Sequence, residues 1–153
     1  MQIVLLYFLI LIYSSNSFET IKGEKVELNK IDNYLLIIMD GMYCHDCLVK
    51  LNNVIDADRK IKSIVAFKSQ NGIILNKTLI NNSKKYITPD IWVFYKEDNL
   101  FANFNTSVSP NVILKTEDST YYFHYENLFT GKDNRKVFNN FKKIYKEICY
   151  VYK

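Results

Sequence analysis

Six apolar residues in a row, Tyr34 to Met39 (YLLIIM), constrain this chain more than any other segment. The run has the length of a strand, and its unbroken character suits a strand covered on both faces, as in parallel sheets that carry other elements on each side. Directly after it, Asp40-Gly41-Met42-Tyr43 interrupts the run. Apolar residues then return at Cys47, Leu48, Leu51, Val54 and Ile55, the spacing of one face of a helix that begins near Cys44. Lys62 to Phe67 (KSIVAF) reads as a second strand. A strand, a helix and a strand within about thirty-five residues form a βαβ unit with a right-handed crossover, so the sheet is at least partly parallel.

Residues 73 to 85 (IILNKTLINNSKK) predict a weakly amphipathic helix, Thr88-Pro89-Asp90 a breaker, and Ile91 to Tyr95 (IWVFY) another strand. A short helical turn is expected over Asn99 to Phe104. Val112 to Lys115 and Thr120 to Tyr125, joined by Thr116-Glu117-Asp118-Ser119, have the pattern of a hairpin. Asp133 can cap a closing helix whose apolar stripe runs through Val137, Phe138, Phe141, Ile144, Tyr145, Ile148 and Tyr152. Residues 18–33 show no clear period and read as a lead-in with one short strand around Lys25 to Leu28. The domain proper spans 34–153, an α/β unit with a central mixed sheet flanked by helices.

Residues 3 to 13 (IVLLYFLILIY) followed by Ser14-Ser15-Asn16-Ser17 read as a secretory signal peptide cut before Phe18. The run is short for a transmembrane helix, which needs about 20 residues. An uncleaved anchor through 1–17 is the alternative. The remaining chain is long enough for one domain with a real core and too short for two. Twenty basic and sixteen acidic residues give a net charge of +4, with the lysines spread among acids, which describes a solvated surface and not a nucleic-acid footprint. An exported, periplasmic or otherwise extracytoplasmic monomer is expected.

Export changes the meaning of the three cysteines, Cys44, Cys47 and Cys149, because an oxidising compartment permits disulfides. Cys44-His45-Asp46-Cys47 follows a buried strand and opens a helix. The N–H groups and partial positive charge at a helix N-terminus stabilise a thiolate, the reactive form of cysteine, so a depressed pKa is expected for Cys44. A protonated His45 would add to the effect and Asp46 would oppose it. Cys47, one turn further on, is placed to attack a mixed disulfide formed on Cys44. A static structural disulfide is the bland alternative. Cys149, beside the stripe of the last helix, reads as a small hydrophobe at the edge of the core.

With YLLIIMDGMYCHDC, IWVFYKEDNLFANFN and VSPNVILKTEDSTYYF, the chain over roughly Asp32 to Tyr152 resembles the thioredoxin-like thiol–disulfide oxidoreductases, especially the exported TlpA/AhpC-TSA-like branch of bacterial envelopes. The resemblance implies the thioredoxin-like fold and catalytic Cys44 and Cys47. It makes Pro110 a cis-proline facing the cysteines and contacting the substrate, and Ser109 a donor of backbone hydrogen bonds to the bound partner. Tyr43, His45 and Asp46 then line the substrate-binding site. The implied partners are protein thiols and disulfides and a further redox partner. No cofactor beyond the Cys44–Cys47 pair, no metal and no nucleic acid is expected. Four positions depart from the family pattern: Tyr43 replaces the usual Trp, His45-Asp46 replaces Gly-Pro, and Ile38 stands where a buried carboxylate is usual. The lone Thr-x-x-Cys thiol of a true peroxiredoxin is absent, so peroxidase activity is not expected.

Gly41-Met42-Tyr43-Cys44-His45-Asp46-Cys47 also resembles the GMxCxxC loop of heavy-metal-associated domains, whose paired thiolates suit Cu(I). That module has a ferredoxin-like fold of about seventy residues and would leave the Ser-Pro strand, the hairpin and the last helix without a role. A zinc site would need more ligands than His45, Asp46 and the distant His124 add to the pair. His124 reads as a half-buried strand residue. The sequons at Asn76, Asn81 and Asn105 read as chance matches in a chain rich in asparagine.

Overall fold

The structure is a computed structural model that describes residues 18–69, 72–96, 101, 104 and 108–151. Residues 1–17, most of the turn expected over 99–104, the Asn105 sequon and Tyr152 lie outside the described residues. No helix among the described residues is long and apolar enough to cross a membrane.

Strand β3 (Tyr34–Met39) is buried from Leu35 onward. It pairs in parallel with β5 (Lys62–Lys68), Leu36 opposite Ile64, and antiparallel with β8 (Asn111–Lys115), Leu36 opposite Ile113. β6 (Ile91–Tyr95) runs parallel beside β5, and β9 (Thr120–Phe123) closes one edge in a hairpin with β8. At the other edge β1 (Phe18–Glu19) pairs antiparallel with both β6 and β2 (Lys25–Val26). The strand order is β2-β1-β6-β5-β3-β8-β9. β4 (Met42–Tyr43) and β7 (Val108–Ser109) form a separate parallel pair.

The alternation of side chains along the central strands divides the core in two. Leu35, Ile37, Met39, Val65, Phe67, Val112 and Leu114 face one side. There they meet Leu48, Leu51 and Ile55 of α1 (His45–Ala57), Ile80 of α2 (Ile73–Ser83), and Phe141, Tyr145 and Ile148 of α3 (Asn134–Val151). Leu36, Ile38, Ile64, Ala66 and Val93 face the other side, where Phe18, Leu28, Ile31, Phe101 and Phe104 cover them. An apolar strand with two covered faces is what the unbroken YLLIIM run requires. Each such side chain contributes about 1.5–3 kcal/mol relative to exposure.

The lead-in supplies two strands of the same sheet, β1 and β2, followed by a 3-10 turn at Leu28–Lys30. The hairpin departs from expectation at its far end. β9 stops at Phe123, because the Asn111 side-chain carbonyl accepts the Tyr125 N–H at 2.7 Å and takes that donor out of the ladder. His124 therefore follows the strand instead of lying within it, and the π-type turn Glu126–Thr130 leads into α3. The first bond of α3 runs from the Val137 N–H to the Asp133 carbonyl at 3.0 Å.

Candidate active site

The chain leaves β3 through Gly41, whose φ of 69° is the left-handed conformation that glycine adopts without penalty. That reversal lays β4 against β7, with Met42 opposite Val108 and Tyr43 opposite Ser109. Two further bonds stitch the strands together. The Cys44 N–H donates to the Ser109 carbonyl at 3.1 Å, and the Ser109 hydroxyl donates to the Met42 carbonyl at 3.3 Å. The Ser109-Pro110 peptide is cis, and both residues are buried.

Cys44 is the N-cap of α1, with extended backbone at φ −91° and ψ 113°. N-caps usually present a side-chain oxygen to the free N–H groups of the first turn. Here the sulfur does so, Cys44 Sγ accepting from the Cys47 N–H at 3.3 Å. The two cysteines form a disulfide with Cα atoms 5.2 Å apart. Their environments differ: Cys44 is half-buried, while Cys47 is 4% exposed and belongs to the core under α1.

The neighbours named from the sequence gather around this pair. Tyr43 is half-buried, and His45 and Asp46 are exposed on the first turn of α1. The His45 ring meets Tyr43 edge-on at 5.5 Å. It also stacks on Tyr86, with centroids 4.1 Å apart and planes 8° from parallel. Tyr86 was missed by sequence reasoning. It lies in the connector between α2 and β6, forty-one positions from His45, and neither periodicity nor a motif marks it. Ile38, where the resembled family carries a carboxylate, is buried on the sheet face away from α1.

Cys149 is remote from this cluster. Its Sγ donates to the Asp58 carbonyl at 3.8 Å, at the C-terminal end of α1, and the thirteen residues of that helix span about 20 Å. Burial pushes the Cys149 thiol above its ordinary range, and the nearby Asp58 charge adds to the shift. His124 packs its ring against Phe104 at 4.7 Å. Among the described residues no group of three or more His, Cys, Asp or Glu is arranged to hold a metal ion.

No family model matches the chain, and no curated protein matches it. Solved structures do. A thioredoxin-like protein from Aeropyrum pernix is 18% identical, with 88% of this chain and 94% of that one covered and a TM-score of 0.54. An uncharacterized thioredoxin-like protein from Porphyromonas gingivalis is 14% identical over 86% and 90%, with a TM-score of 0.56. A secreted Mycobacterium tuberculosis disulfide oxidoreductase homologous to E. coli DsbE is 10% identical over 80% and 94%, with a TM-score of 0.51. The ferredoxin-like architecture that the heavy-metal alternative requires is not the one observed. The chain has the thioredoxin-like fold, a central mixed sheet flanked by helices, with a Cys44–Cys47 disulfide at the head of its first core helix.

Proposed function

We propose that this protein is an exported thiol–disulfide oxidoreductase that exchanges disulfides with protein partners through Cys44 and Cys47. The observation that carries the reading is the asymmetry of the pair: a half-buried Cys44 capping α1 and a buried Cys47 one turn below it. In the reduced state the Cys47 N–H that bonds Cys44 Sγ favours a thiolate there, as does the helix N-terminus. That thiolate attacks one sulfur of a partner disulfide, forming a Cys44–partner bond and releasing the partner's other thiolate. The Cys47 thiolate then attacks Cys44 Sγ, closing the intramolecular disulfide and releasing the partner's second thiolate. Two electrons pass from the Cys44–Cys47 pair to the partner. With a dithiol partner the steps run in reverse from the disulfide form.

Ser109 and Pro110 shape the docking groove, Ser109 being tied to Cys44 by the 3.1 Å backbone bond, and Tyr43, His45 and Asp46 form its rim. Export is supported by the apolar run before Ser14 and by the secreted M. tuberculosis neighbour of the same fold. The protein acts as a monomer, with a second thiol–disulfide protein resetting it and residues 1–17 as a membrane tether if they are retained.

The test is a Cys47→Ser variant, which is expected to accumulate partners as mixed disulfides on Cys44, together with the reduction potential of the wild-type pair in thiol buffers. A potential between about −120 and −280 mV fits an exchange protein, and one well below about −300 mV fits a structural disulfide and overturns the reading. Stoichiometric Cu(I) binding by both thiols without exchange would favour the metal-binding alternative.

A further inference from the structure

The connector between α2 and β6 does not hang free. It runs beside α1 and is fixed there at Thr88. The Thr88 N–H donates to the Asn52 side-chain carbonyl at 2.9 Å. The Arg59 guanidinium, just past the end of α1, donates to the carbonyl of the same Thr88 at 3.2 Å and to its hydroxyl at 3.1 Å. Between these clamps and α2, Ile87 is 1% exposed, and its N–H donates to the Ser83 carbonyl at 3.1 Å, as the Tyr86 N–H does at 2.9 Å. Tyr86 is thus the last residue of a segment anchored on both sides, and its ring sits against the first turn of α1.

His45 is in the opposite position. It is exposed, at the first helical residue, and adjacent to Cys44. An exposed imidazole with two free torsions samples several rotamers and spreads its charge through solvent, where water screens it. Stacked at 4.1 Å on a ring whose backbone is tied down, with Tyr43 edge-on at 5.5 Å, it is held on the first turn of α1, one residue from Cys44.

We propose that Tyr86 is a positioning residue for His45, and that the stack between them sets the reduction potential of the Cys44–Cys47 pair. This rests on the exchange reading for its purpose, although the potential can be measured whether or not that reading holds. Reduction breaks the Cys44–Cys47 bond with two electrons from a donor dithiol and leaves charge on Cys44. A fixed imidazole beside that charge changes the energy of the reduced state and leaves the disulfide state, which has no charge to meet, nearly unaffected. The sequence between the cysteines is then only half of the tuning device, the other half coming from a residue about forty positions away.

The experiment equilibrates the full chain with reduced and oxidised glutathione at pH 7 and reads the dithiol fraction by alkylation and mass. His45→Ala, Tyr86→Ala, Tyr86→Phe and the double variant His45→Ala/Tyr86→Ala are compared with wild type. Tyr86→Ala is expected to shift the equilibrium constant at least about threefold in the same direction as His45→Ala, which is about 15 mV for a two-electron couple. Tyr86→Phe, which keeps the ring, stays at the wild-type value, and the double variant matches His45→Ala alone. If Tyr86→Ala does not fold, Tyr86→Leu fills the space without a ring and gives the same reading. The inference is overturned by a ring-less variant at the wild-type value, by Tyr86→Phe moving as far as the ring-less variant, or by the two single shifts adding in full. A wild-type potential below about −300 mV overturns the exchange reading instead and leaves the variant shifts to decide the role of Tyr86.

Discussion

The Cys44 N–H donates to the Ser109 carbonyl at 3.1 Å, joining the first cysteine of the pair to the residue before the cis-proline across sixty-five positions of sequence. Neither side chain takes part. The bond continues the β4–β7 register by one residue, so the geometry of the site depends on two dipeptides lying side by side and tolerates change in what their side chains are. The Ser109 hydroxyl adds a second link by donating to the Met42 carbonyl.

Ser109→Ala separates these two contributions. It removes the hydroxyl bond and keeps the backbone one, so stability is expected to fall by about 1 kcal/mol. The rate of disulfide exchange is expected to stay at the wild-type value, because the backbone bond from Cys44 to Ser109 is kept. Urea unfolding and an exchange assay on a model disulfide read the two quantities. A collapse in exchange with stability intact would show that the hydroxyl itself touches the partner.

Gly41 holds the other end of the same arrangement. At φ 69° an added Cβ meets its own backbone, so Gly41→Ala is expected to cost about 1–2 kcal/mol. The strain falls on the turn that lays β4 against β7, and exchange should slow along with the loss of stability. A Gly41→Ala protein as stable as wild type would mean that the turn can take up another conformation without cost.

How much of this could be read from sequence varies with the distance between the residues involved. YLLIIM and the 3.6-residue spacing of Leu48, Leu51 and Ile55 are local patterns, and they place β3, α1 and the cysteine at the head of the helix. β4 and β7 are two residues each and exist only because they meet, so no period announces them. The early end of β9 has the same origin. Tyr121, Tyr122, Phe123, His124 and Tyr125 look like continuous strand, and it is Asn111, on the neighbouring strand, that captures the Tyr125 N–H and ends it. Tyr86 stands next to two lysines before a proline-containing breaker, and its importance lies wholly in which helix the connector runs beside.

At the other end of α1 the Asp58 carbonyl accepts both the Tyr145 hydroxyl at 2.8 Å and the Cys149 thiol at 3.8 Å. Burial raises both pKa values, that of Cys149 above 9.0 with help from the Asp58 charge, and that of Tyr145 above 10.0 with help from Cys149. Both groups lose a negative charge on protonation, so the folded state holds its protons where the unfolded chain has begun to release them. The resulting stability is fully present below about pH 8.5 and is lost as pH rises through the unfolded values toward the folded ones, by up to about 1.4 kcal/mol per pH unit for each proton. Urea midpoints between pH 7 and 11 should therefore fall above pH 9, and less steeply in a Cys149→Ala/Tyr145→Phe protein. Parallel curves for the two proteins would contradict the assignment.

The same burial predicts how the three thiols divide once the disulfide is reduced. Cys44 is half-buried, Cys47 is 4% exposed and Cys149 is 0% exposed with its thiol held above the ordinary range. Alkylation of native reduced protein at pH 8 should modify Cys44 first. Cys149 should react at least about tenfold more slowly, at the rate at which α3 lifts from the core, because only an accessible thiolate is nucleophilic. Cys149→Ser keeps a hydroxyl to donate to the Asp58 carbonyl, and it is expected to leave the reduction potential and the trapping of partners by Cys47→Ser unchanged. Peptide mapping by mass gives the order of modification. Early labelling of Cys149, or a shifted potential in Cys149→Ser, would mean that the far end of α1 communicates with the disulfide, and the two cysteine environments would have to be treated as one system.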